Sequence, residues 1–145
     1  MKVYFIGAGP GEPELITVKG KRLLEEADII IYAGSLVNPE ILKYAKKDAA
    51  VFDSASMSLE EIVKIMVDGM KDRKIVVRLH TGDTSLYSAI AEQMIELKKA
   101  DIDFEIIPGV SSASAAAASL NIEYTLPEIT QTVIYTRIAG RTDVP

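Results

Sequence analysis

At 145 residues, with 48% hydrophobic and 26% charged side chains, the chain has the length of one domain and enough apolar material to bury a core. Its formal charge of -5 argues against a broad nucleic-acid surface, because phosphate binding needs clustered Lys and Arg. The absence of Cys excludes disulfides and thiolate metal sites, and the single histidine, His80, cannot build a multi-histidine zinc site.

The chain opens on Val3–Ile6, a strand-like run that passes directly into "GAGPGEP". Gly7 and Gly9 begin a dinucleotide-loop spacing, but the third glycine of GxGxxG is replaced by Glu12. Pro10 and Pro13 also lack the backbone N–H groups that a pyrophosphate would use. A plain strand-to-helix turn and a ligand-lining loop both remain open for this stretch. Pro13 suits a first helical position, with Leu15, Val18, Leu23 and Leu24 on the apolar side and Glu25, Glu26 and Asp28 marking the exit. Ile29–Tyr32 reads as the second strand, and a weaker one lies near Val51. Ser58 and Glu61 form a capping-box pattern ahead of Ile62, Ile65, Met66 and Met70, whose methionines read as helix core.

Ile75–Leu79 is the next strand, followed by a helical repeat of Leu86, Ile90, Met94 and Leu97. Gly82 permits a sharp turn there, and Asp83 or Thr84 is expected to cap a helix starting near Leu86. Phe104–Ile107 is the last clear strand, stopped by Pro108 and Gly109 before Ser111, Ser112, Ser114 and a run of alanines. "ITQTVIYTR" near the end also reads as a strand. The alternation predicts an α/β fold, a mainly parallel doubly wound sheet with helices on both faces, whose ligands bind at the carboxyl ends of strands. Three glycine-bearing loops, "GAGPGEP", "HTGDTSLYSA" and "PGVSSASAAAAS", should then open on one edge and describe a cleft.

In order and spacing, "GAGPGEPELIT", "HTGDTSLY" and "PGVSSASAAAA" resemble the tetrapyrrole methylases, S-adenosylmethionine-dependent enzymes that methylate carbons of porphyrinoid intermediates. "YAGSLVNPEIL" and "LPEITQTVIYTRIAGRTDVP" are similar to the branch that methylates C11 of precorrin-4 in cobalamin biosynthesis, and together these stretches cover nearly the whole chain. The uroporphyrinogen branch usually carries an acidic residue where this chain has Ala33. Thr84 departs from the family, which often has proline after Gly-Asp.

The resemblance implies a site for S-adenosyl-L-methionine lined by Pro10, Thr81, Gly82 and Asp83, together with Leu86, Ser111 and Ser112. It implies that Gly9 and Gly11 face the tetrapyrrole substrate, and the carboxylates of such a ring suggest Arg137 and Arg141 as its cationic partners. A methyl transfer of this kind needs no protein nucleophile and no metal ligand from the chain. The resemblance further implies an N-terminal domain over residues 1–137 and, from 138 to 145, the start of a linker to a second domain. A homodimer is expected, without nucleic-acid partners. The opening strand in place of a signal sequence, and apolar runs too short for a bilayer, point to a cytoplasmic protein with no membrane partner. The competing readings are a non-catalytic binding or dimerisation module on the same fold, and another member such as a diphthine synthase-like enzyme.

Overall fold

The computed structural model describes residues 2–138. They divide into two compact units, the first running through Ser112 and the second from Ala113 onward. The strands of the first unit are β1 (Val3–Gly7), β2 (Ile29–Tyr32), β3 (Ala50–Asp53), β4 (Val76–His80) and β5 (Phe104–Ile107). They form one parallel sheet in the order β3-β2-β4-β1-β5. Helix α1 (Val18–Glu26) follows β1, α2 (Leu59–Lys71) follows β3, and α3 (Ile90–Lys99) follows β4.

Successive strand residues point to opposite faces, and both faces are covered, so β1, β2 and β4 are apolar almost without interruption. On one face Ile6, Ile30, Val77 and Leu79 pack with Leu23 and Leu24 of α1 and with Ile41, which lies on a 3-10 turn spanning Pro39–Tyr44. On the other, Val3, Phe5, Ile29, Ile31 and Val76 pack with Ile62 and Met66 of α2 and Leu97 of α3. Met66 is fully buried, as a core methionine should be. The strands also start level: Val3 is opposite both Val76 and Phe104, and Ile29 is opposite both Val76 and Ala50. Their carboxyl ends therefore emerge along one edge.

Three local expectations are corrected. Pro13 opens only a 3-10 turn, Pro13–Leu15, and α1 proper starts after Thr17, whose side chain accepts from the Gly20 amide at 3.1 Å. Leu15 and Val18 consequently fall outside the apolar side, and Val18 is 89% exposed. The helix expected from Leu86 starts at Ile90, because Tyr87 and Ala89 take left-handed backbone angles that no helix tolerates. Residues 131–138 form no strand: a strand needs a ladder partner, and none of the described strands pairs with them. The capping box of α2 is present in full, with Ser58 N donating to Glu61 Oε2 at 2.8 Å and Glu61 N donating to Ser58 Oγ at 3.2 Å.

In the second unit, α4 (Ser112–Leu120, its first residue belonging to the first unit) ends at a left-handed Asn121, and the Tyr124 hydroxyl donates to the Ala113 carbonyl at 2.7 Å. The linker expected from 138 to 145 falls, beyond Ile138, outside the described residues.

Candidate functional site

The loops after β1, β4 and β5 interlock at the carboxyl edge. The Ala8 amide donates to the His80 carbonyl at 2.7 Å, and Gly9 and Gly82 exchange backbone hydrogen bonds, Gly82 N to Gly9 O at 2.8 Å and Gly9 N to Gly82 O at 3.2 Å. Gly109 enters this junction from β5. A Cβ on Gly109 would lie 2.2 Å from the Gly82 carbonyl oxygen and 2.8 Å from the Gly7 Cα, and a Cβ on Gly7 would lie 2.6 Å from the Gly109 nitrogen. Glycine at both positions follows from this backbone-on-backbone packing. Gly11 is different: its φ of 121° disfavours a side chain, yet nothing lies within 4 Å of where a Cβ would be.

Asp83 braces the junction. Its Oδ2 accepts from the Gly109 amide at 2.8 Å, and its Oδ1 accepts from the Ser85 amide at 2.9 Å and from the Ser85 hydroxyl. Burial pulls its pKa upward, but hydrogen bonds from the Ser85 hydroxyl, the Gly109 amide and the Ser85 amide outweigh that and hold the carboxyl below its usual range. The expected role of capping a helix near Leu86 is thus replaced by a tie between two loops. Thr84 is buried and caps nothing either, since α3 begins at Ile90 with no side-chain cap.

Sequence reasoning overlooked a buried network behind this edge. Arg78, only 5% exposed, donates from Nη1 to Ser54 Oγ at 2.9 Å and from Nε to Gln93 Oε1 at 3.3 Å. Ser54 Oγ in turn donates to the Tyr32 carbonyl at 3.0 Å, so one guanidinium joins the ends of β2 and β3 to the first turn of α3. Burial among these neutral partners lowers the Arg78 pKa to about 10. The signal was visible in "IVVRLH", where one charge interrupts a central-strand run and must find partners inside. Two residues along, His80 is buried beside Phe5 with its Nε2 unpartnered. Burial, and then the Arg78 charge, push its pKa down to about 3, so it stays neutral and is a poor general base.

The residues singled out from the sequence fall on these same loops. Gly9, Pro10 and Gly11 lie on the first, where Asn38 Nδ2 donates to the Gly11 carbonyl at 2.7 Å. Thr81, Gly82, Asp83 and Leu86 lie on the second, and Ser111 and Ser112 on the third. A Cβ on Gly82 would lie 3.8 Å from the Ser112 nitrogen and 3.9 Å from the Ser111 Cα, which brings the second and third loops side by side. Arg137 is half-buried in the second unit, and Arg141 lies outside the described residues. Along residues 7–13, 80–88 and 107–112 there is no Lys or Arg, and the acidic residues are Asp83 and Glu12, whose side chain accepts from the Glu14 amide at the Pro13–Leu15 turn. Such an edge suits a ligand bearing positive charge and is unsuited to phosphate.

A parallel α/β sheet with interlocked glycine loops at its carboxyl edge defines a small-ligand-binding domain of the doubly wound type. The family profile described as Tetrapyrrole (Corrin/Porphyrin) Methylases matches residues 2–144, and the chain belongs to that family. It is 62% identical, over 99% of its length, to the cobalt-precorrin-4 C(11)-methyltransferase of Methanocaldococcus jannaschii, of which it covers 56%. The solved structure of a cobalt precorrin-4 methyltransferase superposes with a TM-score of 0.95 at 54% identity, over 99% of this chain and 60% of that one. The uroporphyrin-III C-methyltransferase of Thermus thermophilus, solved in complex with S-adenosylhomocysteine, matches at a TM-score of 0.68 and 32% identity, over 81% of this chain and 48% of that one. The chain spans about half the length of the curated relatives it matches. No helix among the described residues is long and apolar enough to cross a membrane.

Proposed function

We propose that this chain supplies the N-terminal part of an S-adenosylmethionine-dependent methyltransferase that acts on C11 of precorrin-4 or its cobalt form, in cobalamin biosynthesis, as a cytoplasmic homodimer. The observation that carries the reading is the carboxyl edge, with its three interlocked loops, the Asp83 carboxylate tied between two of them and no Lys or Arg along them. The likeness to the M. jannaschii enzyme supports the choice of ring substrate.

The methyl donor supplies an electrophilic methyl group on a positive sulfur. Pro10, Thr81, Gly82 and Leu86 shape its pocket, Ser111 and Ser112 offer hydroxyls, and the Asp83 carboxylate favours the sulfonium charge. Gly9 and Gly11 bring bare backbone up to the ring, and Arg137 and Arg141 meet its carboxylates. The ring carbon would form a bond to the methyl carbon as the sulfur–methyl bond breaks, the neutral thioether would leave, and the positive charge passed to the ring would be given up as a proton. The chain contributes alignment and exclusion of water, with His80 as a structural, neutral group.

The test is methyl transfer by the full-length protein from S-adenosylmethionine to precorrin-4 and cobalt-precorrin-4, with calorimetric titration of donor and S-adenosylhomocysteine on wild type and Asp83→Asn. Asp83→Asn should weaken the charged donor more than the neutral product; an equal loss for both removes the carboxylate from the donor site. The isolated 145-residue chain should show no turnover, since it spans about half of its relatives. Turnover by that chain would refute the two-part reading.

A further inference from the structure

The loop joining β4 to α3 holds two non-glycine residues in the left-handed region, Tyr87 at φ 55° and Ala89 at φ 49°. Elsewhere in the first unit, Arg73 and Asp101 share this conformation, but they follow the C-terminal ends of α2 and α3, where left-handed residues commonly close helices. Tyr87 has no such reason, and a bulky side chain at positive φ is an outlier that points to function. The loop is also firmly tied. Asp83 anchors it to Gly109, and the Ser88 hydroxyl bonds the carbonyls of Asp83 at 3.1 Å and Leu86 at 3.2 Å.

This tied loop holds Tyr87 out to solvent at 62% exposure. The loop after β2, the strand beside β4, does the same with Leu36 at 68%. It too is tied, through the Gly34 amide to Asp53 Oδ1 at 3.0 Å and through Asn38 to the Gly11 carbonyl. Two braced loops from neighbouring strands thus keep large apolar groups in water at the rim of an edge whose floor is mostly backbone. A tetrapyrrole has a broad, largely apolar macrocycle face and carries its carboxylates at the periphery. Glycine loops cannot cover that face, whereas an aromatic ring and a leucine carried on tied backbone can, at reduced ordering cost on binding.

We infer that Tyr87, together with Leu36 on the loop after the neighbouring strand, is a contact for the face of the tetrapyrrole ring. The inference rests on the methyltransferase reading above and adds to it the residues that hold the macrocycle's apolar surface.

The test uses the full-length protein saturated with S-adenosylhomocysteine and titrated with uroporphyrin III, followed by the Soret band. Tyr87→Asn removes the ring but suits positive φ, Tyr87→Phe keeps the ring, and Leu36→Ser removes the second contact. Tyr87→Asn should weaken uroporphyrin binding about tenfold and Leu36→Ser by a smaller factor, with Tyr87→Phe within about twofold of wild type. S-adenosylhomocysteine affinity and the unfolding temperature should stay at wild-type values throughout. Uroporphyrin binding unchanged in Tyr87→Asn overturns the inference while leaving the methyltransferase reading intact. An equal loss of S-adenosylhomocysteine affinity, or a changed oligomeric state with unchanged uroporphyrin binding, overturns it in favour of a donor contact or a protein interface. A wild type that binds S-adenosylhomocysteine but no uroporphyrin overturns the ring site with Tyr87 in it, and one that binds neither overturns the underlying reading as well.

Discussion

Asp83 uses both carboxylate oxygens, one on the Gly109 amide and the other on Ser85, so it needs two acceptors facing different ways. Asparagine would suffice as a helix cap but has only one. Asp83→Asn is therefore expected to leave one amide facing an NH2 group and to lower stability by about 1–3 kcal/mol, read by urea unfolding. An unchanged midpoint would mean the bridge is not held in solution. His80 predicts a pH dependence. Its folded pKa of about 3 lies below the ordinary 6.5, so between those values the unfolded chain takes up a proton that the folded chain refuses. Stability from this group is complete above about pH 6.5 and is lost progressively as the pH falls, by at most roughly 4–5 kcal/mol near pH 3. His80→Phe keeps an aromatic ring beside Phe5 and should flatten that loss in unfolding series run from pH 7 to 4. A variant as acid-sensitive as wild type assigns the loss to other groups.

Among the elements, α2 was legible because its signals are local: the Ser58–Glu61 box lies within one turn, and the buried Ile62 and Met66 are four residues apart. Ser58→Ala should cost about 1 kcal/mol in chemical unfolding, and no measurable cost would make the box ornamental to a helix held by packing alone. Helix α3 shows the opposite case. Leu86, Ile90, Met94 and Leu97 have helical spacing, yet the first of them sits in a loop. The Asp83–Gly109 bond spans 26 residues and dictates the loop's path, which carries Tyr87 and Ala89 through left-handed angles before the helix can start. A long-range tie overrides a local period because the period states only which side of a helix would be apolar.

At the scale of the whole molecule, the first unit buries its apolar residues on two faces of one sheet, while the second leaves many in water. Leu120, Ile122, Leu126, Ile129, Ile134 and Ile138 are all exposed. The 145-residue chain is therefore expected to associate with rising concentration in sedimentation velocity, and replacement of Ile129, Ile134 and Ile138 by Ser should reduce that association. A wild-type chain that stays monomeric at every concentration would contradict the expectation.

By itself, the order of apolar runs, glycines and prolines determined that strands and helices alternate, that the sheet is mainly parallel, and that three glycine loops follow strand ends. Those are properties of short windows, where side-chain period and backbone freedom act within a few residues. Only the tertiary structure decided the strand order β3-β2-β4-β1-β5, the close contact of Gly7, Gly82 and Gly109, and the partners of Asp83 and Arg78. Burial of apolar surface is non-directional, so it says that "IVVRLH" lies inside without saying that Arg78 will meet Ser54 and Gln93 there. A hydrogen bond between distant residues exists only once the sheet has set both ends at the same edge.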